Sequence, residues 1–264
     1  MTENQKLIKL KKIILDMKST LIAYSGGVDS TLLLKVVHDL LGDLVVAITA
    51  KSYIQSDSEI KSAIKIASEI GVKHITINVN QLTIPGFSNN PKNRCYICKK
   101  DLFSRLSHIA KHKKLNYISD GSNASDLSFN RPGKQAAVEF DVRSPLEEAG
   151  LTKNDIRNIS KGLNLLNYNK PANSCLVTRL PYEKKITKKA LQMVEKAENY
   201  IKAFNISQIR VRHFDNLCRI EVPKEEINIL FDKKEEIAKK LQEIGYIYIT
   251  LDFEGYRSGS MDEV

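Results

Sequence analysis

The first half of the chain alternates short apolar runs with segments of helical periodicity. Four apolar runs predict strands at residues 20–24, 44–49, 73–79 and 116–119. Between the runs, apolar residues recur every three or four positions, which predicts helices at residues 29–41, 56–70 and 99–114. The N-terminal segment is also helical in its spacing, with apolar residues at Leu7, Leu10, Ile13, Ile14 and Met17. Strands that alternate with helices favour an α/β fold with a parallel sheet, and the ligands of such sheets bind at the carboxyl ends of the strands.

The last third of the chain has a different order of elements. A helix is predicted at residues 187–204, followed by a strand pair around Asp215-Asn216, a charged helix at 233–243 and a strand at 246–253. This α+β order predicts a domain boundary near residue 183. The chain then divides into a larger α/β domain at 1–183 and a smaller α+β domain at 184–264.

Composition narrows the class of protein. Of the 264 residues, 42% are hydrophobic and 27% are charged, which is typical of a globular protein with a packed core. No apolar run approaches the roughly 20 residues of a membrane helix, and the N-terminus lacks the apolar core of a secretory signal. We therefore predict a cytoplasmic protein that does not bind membranes. The net charge of +10, most of it in residues 1–183, permits either nucleic acid or small polyanions as ligands.

A glycine-rich loop joins the first predicted strand to the first predicted helix. Its sequence is Ser25-Gly26-Gly27-Val28-Asp29-Ser30. The glycines allow a tight bend and close approach of a ligand, and the free N–H groups at the start of the helix favour an anion. Ser25 and Ser30 add hydroxyl groups, and Asp29 is suited to holding Mg²⁺ beside a phosphate. The loop lacks the Walker A pattern, because it has no G-x-x-x-x-G-K-[ST].

This loop resembles the SGGxDS signature of the PP-loop ATP pyrophosphatases. The resemblance implies an enzyme that splits ATP between its α and β phosphates, adenylates a substrate and releases pyrophosphate. It also implies that the pyrophosphate end is held by Ser25, Gly26, Gly27, Asp29 and Ser30. Further nucleotide contacts are expected from Ala47 and Thr49 on the second strand and from Gly121 after the fourth.

Further strings, spread over nearly the whole chain, resemble the LarE family of ATP-dependent sacrificial sulfur transferases. They are Asn93-Arg94-Cys95-Tyr96-Ile97-Cys98-Lys99, Asp120-Gly121-Ser122-Asn123-Ala124, Arg131-Pro132-Gly133, Arg143-Ser144-Pro145-Leu146, Lys170-Pro171-Ala172-Asn173-Ser174-Cys175-Leu176, Arg179-Leu180-Pro181-Tyr182 and the C-terminal run from Leu251 to Ser260. The resemblance implies that a carboxylate of pyridinium-3,5-biscarboxylic acid mononucleotide becomes a thiocarboxylate, for the nickel-pincer cofactor of lactate racemase. It also implies a homo-oligomer that binds no nucleic acid.

The source of the sulfur depends on the cysteines. In the sacrificial members of the family a cysteine in a PAxxCL context gives up its own sulfur, and Cys175 matches that position. This chain also carries Cys95-x-x-Cys98, and three thiolates can hold a [4Fe–4S] cluster with one iron open for sulfide. Some family members have a similar three-cysteine set, so we favour the cluster. The alternatives are sacrifice of Cys175, with Cys95 and Cys98 structural or bound to zinc, and three unrelated thiols. Cys218 is interpreted as a buried apolar residue.

An arginine pair in the last third of the chain is the candidate substrate clamp. Arg210 and Arg212 alternate on a predicted strand, so their side chains share a face. The resemblance implies that they grip the substrate phosphate, for which arginine is well suited. Glu221, on the partner strand, is expected either to pair with them or to bind a divalent metal. Further substrate contacts are predicted at Arg179, Arg257 and Ser258, and Asp126 and Arg131 are assigned to a nucleotide or substrate loop.

Three other functions remain open on the sequence. A PP-loop tRNA thiolase shares the adenylation step and would suit the net charge, but the termini carry no paired Cys-x-x-Cys zinc modules. An amide-forming synthetase would use ammonia in place of sulfur and gives no reason for Cys95, Cys98 and Cys175. A non-catalytic sensor would bind ATP without releasing pyrophosphate.

Overall fold

The computed structural model describes residues 1–128, 132–171 and 173–261. The chain forms two compact units. The first consists of Met1–Asn80 and Asn93–Asn173, and the second of Gln81–Lys92 and Ser174–Val264. No single cut in the chain separates the two units, because the short segment Gln81–Lys92 belongs with the C-terminal part.

The elements follow one another along the chain in the order that the periodicity predicts, with some additions. The α-helices of the described residues are α1 (Glu3–Met17), α2 (Val28–Leu41), α3 (Asp57–Ile70), α4 (Arg94–His112), α5 (Pro132–Glu139), α6 (Pro145–Glu148), α7 (Lys153–Gly162), α8 (Lys188–Lys202), α9 (Ile227–Asp232) and α10 (Lys234–Ile244). The strands are β1 (Thr20–Ala23), β2 (Val45–Lys51), β3 (Lys73–Asn78), β4 (Tyr117–Ser119), β5 (Arg210–Phe214), β6 (Leu217–Glu221) and β7 (Tyr248–Leu251).

The first unit is built on a parallel sheet of four strands in the order β3-β2-β1-β4, which confirms the predicted fold class. Helix α2 packs between the sheet, α1 and α7, so it is apolar on nearly all sides, and Leu32, Leu33 and Leu34 have no exposed surface. The central position of β1 places the loop that follows it in the middle of the carboxyl edge of the sheet, where ligands of parallel sheets bind.

The second unit contains a mixed sheet in the order β5-β6-β7. Strands β5 and β6 are antiparallel and turn at Asp215, whose φ is 57°, whereas β6 and β7 are parallel. This turn confirms the predicted hairpin around Asp215-Asn216. Helices α8 and α10 supply Met193, Ala197 and Leu241 to a core that also contains the inward side chains of β5 and β6.

The structure differs from the predicted elements in two respects. Helix α4 begins at Arg94, five residues before the predicted start, so Cys95 and Cys98 lie on its first two turns. Helices α5, α6, α7 and α9 were not predicted. Helices α5, α6 and α9 have eight residues or fewer, which is too short to show a clear period. Pro132 and Pro145 also give the starts of α5 and α6 the composition of loops. None of the helices in the described ranges is long and apolar enough to cross a membrane.

Candidate active site

The loop between β1 and α2, residues 25–30, is called the phosphate loop below, and Gly26 gives it its shape. The φ angle of Gly26 is +74°, in the region that favours glycine, and a Cβ atom at this position would lie 2.7 Å from Cβ of Ala63 on α3. Gly27 occupies the N-cap of α2 and supplies no side-chain hydrogen bond there. The first N–H groups of α2 therefore face the loop without a side-chain cap, which is the arrangement that anion sites at helix starts use.

Two serine hydroxyls hold the loop together from within. Oγ of Ser25 lies 3.0 Å from Oγ of Ser30 and accepts a hydrogen bond of 3.3 Å from the backbone N of Gly27. Oγ of Ser30 donates to the carbonyl oxygen of Gly27 at 3.2 Å, and Ser30 is buried. These contacts preorganise the loop, so that an anion can be bound with little loss of conformational entropy.

Asp29 lies on the first turn of α2, beside a lysine from a distant part of the sequence. Its Oδ2 is 2.5 Å from Nζ of Lys153, the first residue of α7, and its Oδ1 accepts a bond of 3.4 Å from Nδ2 of Asn123. The sequence did not indicate Lys153, because 124 residues separate it from Asp29.

The carboxyl end of β4 packs against the same loop. A Cβ atom at Gly121 would lie 2.9 Å from the backbone N of Ser30, so only glycine fits there. The preceding residue, Asp120, is buried, and its carboxylate accepts bonds from the hydroxyls of Ser122 at 2.9 Å and Ser144 at 2.8 Å. Asp120 therefore fixes the position of Gly121 beside the phosphate loop, a role that the sequence did not predict.

The two predicted nucleotide contacts on β2 lie deeper than expected. Ala47 is the third residue of the strand, not its end, and has no exposed surface. Thr49 is also buried, and its hydroxyl donates to the carbonyl oxygen of Tyr24 at 2.8 Å and lies 2.9 Å from Nε2 of His74. Thr49 thus ties β2 to the residue that precedes the phosphate loop, and the accessible end of the strand is at Ala50 and Lys51.

The cysteines have different environments. Cys95 is exposed and Cys98 is half-buried, and their spacing of three residues on α4 places them on the same helix face. Cys175, in the second unit, is half-buried and directly precedes the 3-10 turn Leu176–Arg179. Cys218 is buried in β6 as predicted, and burial raises the pKa of its thiol to about 12.

The cysteines form no disulfide in the parts of the chain that the structure describes, which include all four of them. Within those same parts, no group of three or more His, Cys, Asp or Glu side chains is arranged to hold a metal ion. The donor set nevertheless has the right chemistry for iron–sulfur ligation, because three of the four cysteines have solvent access and two share one helix face.

Arg179 is buried and donates hydrogen bonds to a carboxylate and to backbone carbonyl groups of the protein. Its Nε and Nη2 donate to the two carboxylate oxygens of Glu198 at 2.8 and 3.0 Å. Its Nη1 donates to the carbonyl oxygens of Ser174 at 2.8 Å and Cys175 at 3.1 Å. Arg179, predicted as a substrate contact, is 1% exposed in this structure, and these bonds fix the backbone at the candidate sulfur donor.

Arg210 and Arg212 are also buried, on β5. Burial and the nearby positive charges of Arg179 and Arg212 lower the pKa of Arg210 to about 10, and its guanidinium lies over the ring of Tyr256 at 5.3 Å. Nη2 of Arg212 donates to Oε2 of Glu221 at 2.6 Å, while its Nε is buried with no hydrogen-bond partner among the described residues. Within the arginine cluster, which consists of Arg179, Arg210 and Arg212, two members are paired with the carboxylates of Glu198 and Glu221, and this Nε remains an unused buried donor in the described part of the chain.

Glu221 pairs with arginine side chains, which is the first of its two predicted roles. Its Oε2 accepts from Arg212, and its Oε1 accepts from Arg219 at 2.9 Å and from the hydroxyl of Ser260 at 3.1 Å. Glu221 has no exposed surface, and both of its carboxylate oxygens accept hydrogen bonds from these donors.

The C-terminal segment contributes a serine that the sequence did not indicate, Ser260. Ser258 is exposed, whereas Ser260 is buried, and its Oγ lies 2.9 Å from Nη2 of Arg212. Arg257 is partly exposed and pairs with Glu254 on the same turn. The predicted residue Arg131 lies outside the described residues.

The chain is similar in sequence to several known proteins. Residues 19–105 match the model of the family described as queuosine biosynthesis protein QueC. An uncharacterized protein of Synechocystis is 42% identical over 98% of this chain and 97% of its own length, and one of Methanocaldococcus jannaschii is 33% identical over 96% and 98%. The pyridinium-3,5-bisthiocarboxylic acid mononucleotide synthase of Lactiplantibacillus plantarum is 34% identical over 94% of this chain and 90% of its own length.

Proposed function

Because the chain belongs to the LarE family of PP-loop proteins, which are ATP-dependent adenylating sulfurtransferases, we propose that it activates a carboxylate of pyridinium-3,5-biscarboxylic acid mononucleotide and converts it into a thiocarboxylate. The observation that carries the proposal is the preorganised loop at Gly26 and Gly27, in a chain similar to a pyridinium bisthiocarboxylate synthase over nearly its whole length. The product would serve nickel-pincer cofactor synthesis in a cytoplasmic homo-oligomer.

In the proposed first half-reaction, the loop binds the β and γ phosphates of ATP through N–H groups at the start of α2 and the hydroxyls of Ser25 and Ser30. A substrate carboxylate oxygen attacks the α phosphorus, one P–O bond forms, and the bond to the bridging oxygen breaks. The electron pair of that bond leaves with pyrophosphate. Mg²⁺, where bound by Asp29 and the phosphates, would disperse the developing negative charge.

The phosphate of the substrate is assigned to the arginine cluster of the second unit. Two observations support this assignment. Burial, and after it the nearby charges of Arg179 and Arg212, lower the pKa of Arg210, and Nε of Arg212 is a buried donor without an acceptor among the described residues. An anion in the cluster would satisfy that donor and offset the mutual repulsion. The domain roles that follow are ATP binding by residues 1–183 and substrate binding by 184–264 together with Arg179, which precedes the predicted boundary but belongs to the second unit.

For the second half-reaction we propose that Cys95, Cys98 and Cys175 hold a [4Fe–4S] cluster. When bound, such a cluster supplies sulfide at the iron that has no protein ligand. The placement of Cys95 and Cys98 on one face at the start of α4 supports this, because the helix N-terminus stabilises thiolates. In the alternative, the thiolate of Cys175 attacks the acyl adenylate, AMP leaves, and later cleavage of its Cβ–S bond leaves dehydroalanine.

One experiment separates the two sulfur sources. Under the cluster proposal, anaerobic reconstitution yields a brown protein that absorbs near ~400 nm and contains iron and sulfide, and the intact mass of the chain is unchanged after many turnovers. C95S and C98S should each lower the iron content, whereas C218A, at the buried cysteine, should not. A colourless, iron-free protein that stops after one turnover per chain, with a loss of one H₂S at Cys175, would overturn the cluster and establish sacrifice.

The adenylation step has its own test. Pyrophosphate release from ATP should require both the pyridinium substrate and the loop, so Asp29→Asn is expected to lower the rate at least about 100-fold, the size typical of losing one group that stabilises transition-state charge. The matched control is D39N on the same helix, where Asp39 pairs on the surface with Lys35. Equal rates for wild type and D29N would contradict the role of the loop, and release that depends on tRNA would favour a thiolase.

A further inference from the structure

The phosphate loop of this chain contains an acidic side chain, Asp29, whereas the Walker A phosphate loop contains a lysine. The Walker A loop places a lysine within the loop itself, where it reaches the terminal phosphates of ATP. Here the loop has no lysine or arginine, and Asp29 stands two residues after Gly27. Pyrophosphate that leaves ATP carries several negative charges, so an uncompensated carboxylate at this point would oppose its binding.

Lys153 supplies the missing charge from another part of the first unit. Its Nζ lies 2.5 Å from Oδ2 of Asp29. The pair is not sealed inside the protein, because the side chains of Lys153 and Asp29 are 30% and 22% exposed. The ammonium group is therefore accessible from solvent beside the first turn of α2.

The start of α7 holds Lys153 in place. The backbone N of Lys153 donates to Oγ of Ser125 at 3.0 Å. The preceding residue, Thr152, forms a capping box with Asp155, whose carboxylate also pairs with Lys6 at 2.7 Å. The bond to Ser125 and the capping box both fix the start of α7, so the tertiary structure determines the position of Lys153.

We propose that Lys153 is the phosphate-binding lysine of this loop. Without nucleotide its ammonium group neutralises Asp29, and with nucleotide it donates to the β and γ phosphate oxygens and then to the departing pyrophosphate. An ammonium group has three N–H donors on a flexible stem, so one can remain on Asp29 while another binds phosphate. The assignment rests on the proposed cleavage of ATP between its α and β phosphates. Its test measures the binding of pyrophosphate and does not require ATP to be cleaved.

The test measures binding of inorganic pyrophosphate with Mg²⁺ to the full-length chain by calorimetry. Lys153→Gln keeps a hydrogen-bond donor for Asp29 but removes the charge, and it should weaken binding about 10- to 100-fold, as expected for one lost hydrogen bond between charged groups. Lys153→Arg should stay within about threefold of wild type, because it keeps the charge and the donors. Lys161→Gln removes the same charge from an exposed position on the same helix and should leave binding unchanged.

A second measurement uses the wild-type chain and covers the case in which a variant fails to fold. Magnesium pyrophosphate should protect Lys153, but not Lys161, from acylation by an amine-reactive reagent, as read by peptide mass spectrometry. Unchanged binding by K153Q, or equal acylation of Lys153 with and without pyrophosphate, would overturn the assignment. If pyrophosphate binds as proposed but the pyridinium substrate stimulates no release from ATP, the proposed function fails and the assignment of Lys153 stands.

Discussion

Nη2 of Arg212 donates a hydrogen bond of 2.6 Å to Oε2 of Glu221, and neither side chain is more than 5% exposed. The pair lies between β5 and β6 and is completed by Ser260 from the C-terminal segment. A buried carboxylate with two arginine partners is costly to disturb, because each charge has given up its hydration. Glu221 is therefore a structural counter-ion of the candidate phosphate clamp.

Removing the charge of Glu221 should destabilise the second unit. E221Q keeps the size of the side chain but leaves Arg212 and Arg219 without their shared counter-ion, so we expect the free energy of unfolding to fall by about 3–5 kcal/mol in urea denaturation. E243Q breaks the exposed pair of Glu243 with Lys240 and should cost less than about 0.5 kcal/mol. Similar losses for the two variants would contradict the structural role of Glu221.

Arg179 should control the backbone at Cys175. R179K cannot bind both oxygens of Glu198 and the carbonyls of Ser174 and Cys175 together, so we expect a loss of about 2–4 kcal/mol and faster alkylation of Cys175 by iodoacetamide, followed by peptide mass spectrometry. R105K, at an exposed pair with Asp101, is the control and should change neither quantity. An alkylation rate equal to that of wild type would show that the loop is held in another way.

Gly26 should tolerate no side chain. G26A places a Cβ atom 2.7 Å from Cβ of Ala63 at a φ of +74°, so we expect a stability loss of about 2 kcal/mol or more and no measurable ATP binding. The control is G162A at the end of α7, where a Cβ atom would meet nothing within 4 Å. That variant should bind ATP normally and gain up to about 1 kcal/mol of helix stability. Normal ATP binding by G26A would contradict the loop geometry.

The capping box and the Lys6 pair at the start of α7 should be sensitive to acid, because both depend on the carboxylate of Asp155. Burial opposes ionisation of its carboxyl group, but hydrogen bonds from Lys6 and Thr152 outweigh it and lower the pKa of Asp155 to about 2. Because this pKa lies below that of the unfolded chain, the stabilisation is complete above about pH 4 and is lost as the pH falls towards 2. D155N should therefore cost about 1–2 kcal/mol at pH 7 and progressively less below pH 4, as measured by thermal unfolding. A pH-independent difference would contradict this linkage.

The four cysteines should differ in reactivity towards iodoacetamide at pH 8. Cys95 is exposed and should react first, whereas Cys218 should not react in the folded chain, because it is buried and burial raises the pKa of its thiol to about 12. Peptide mass spectrometry reports the order. Denaturation with guanidinium is the control, since unfolding should make Cys218 as reactive as the others. Early modification of Cys218 without denaturant would contradict its placement in the core.

Local patterns predicted most of the fold. Apolar runs and helical periodicity located all seven strands and the longer helices, because each pattern arises from residues that are neighbours in one element. The short helices α5 and α6 escaped prediction because a run of four to eight residues after a proline has too few turns to show a period. The start of α4 was placed too late, and only the structure shows that Cys95 and Cys98 share a helix face.

The sequence alone determined the class of this protein, its parallel sheet and the loop at Ser25–Ser30, because a glycine-rich bend between a strand and a helix depends on residues next to each other in the chain. The tertiary structure alone decided which partners complete the candidate sites. Lys153 reaches Asp29 across 124 residues, and Ser260 reaches Arg212 across 48. No periodicity or spacing rule spans such separations, since these contacts depend on how whole elements pack and which charges are buried together.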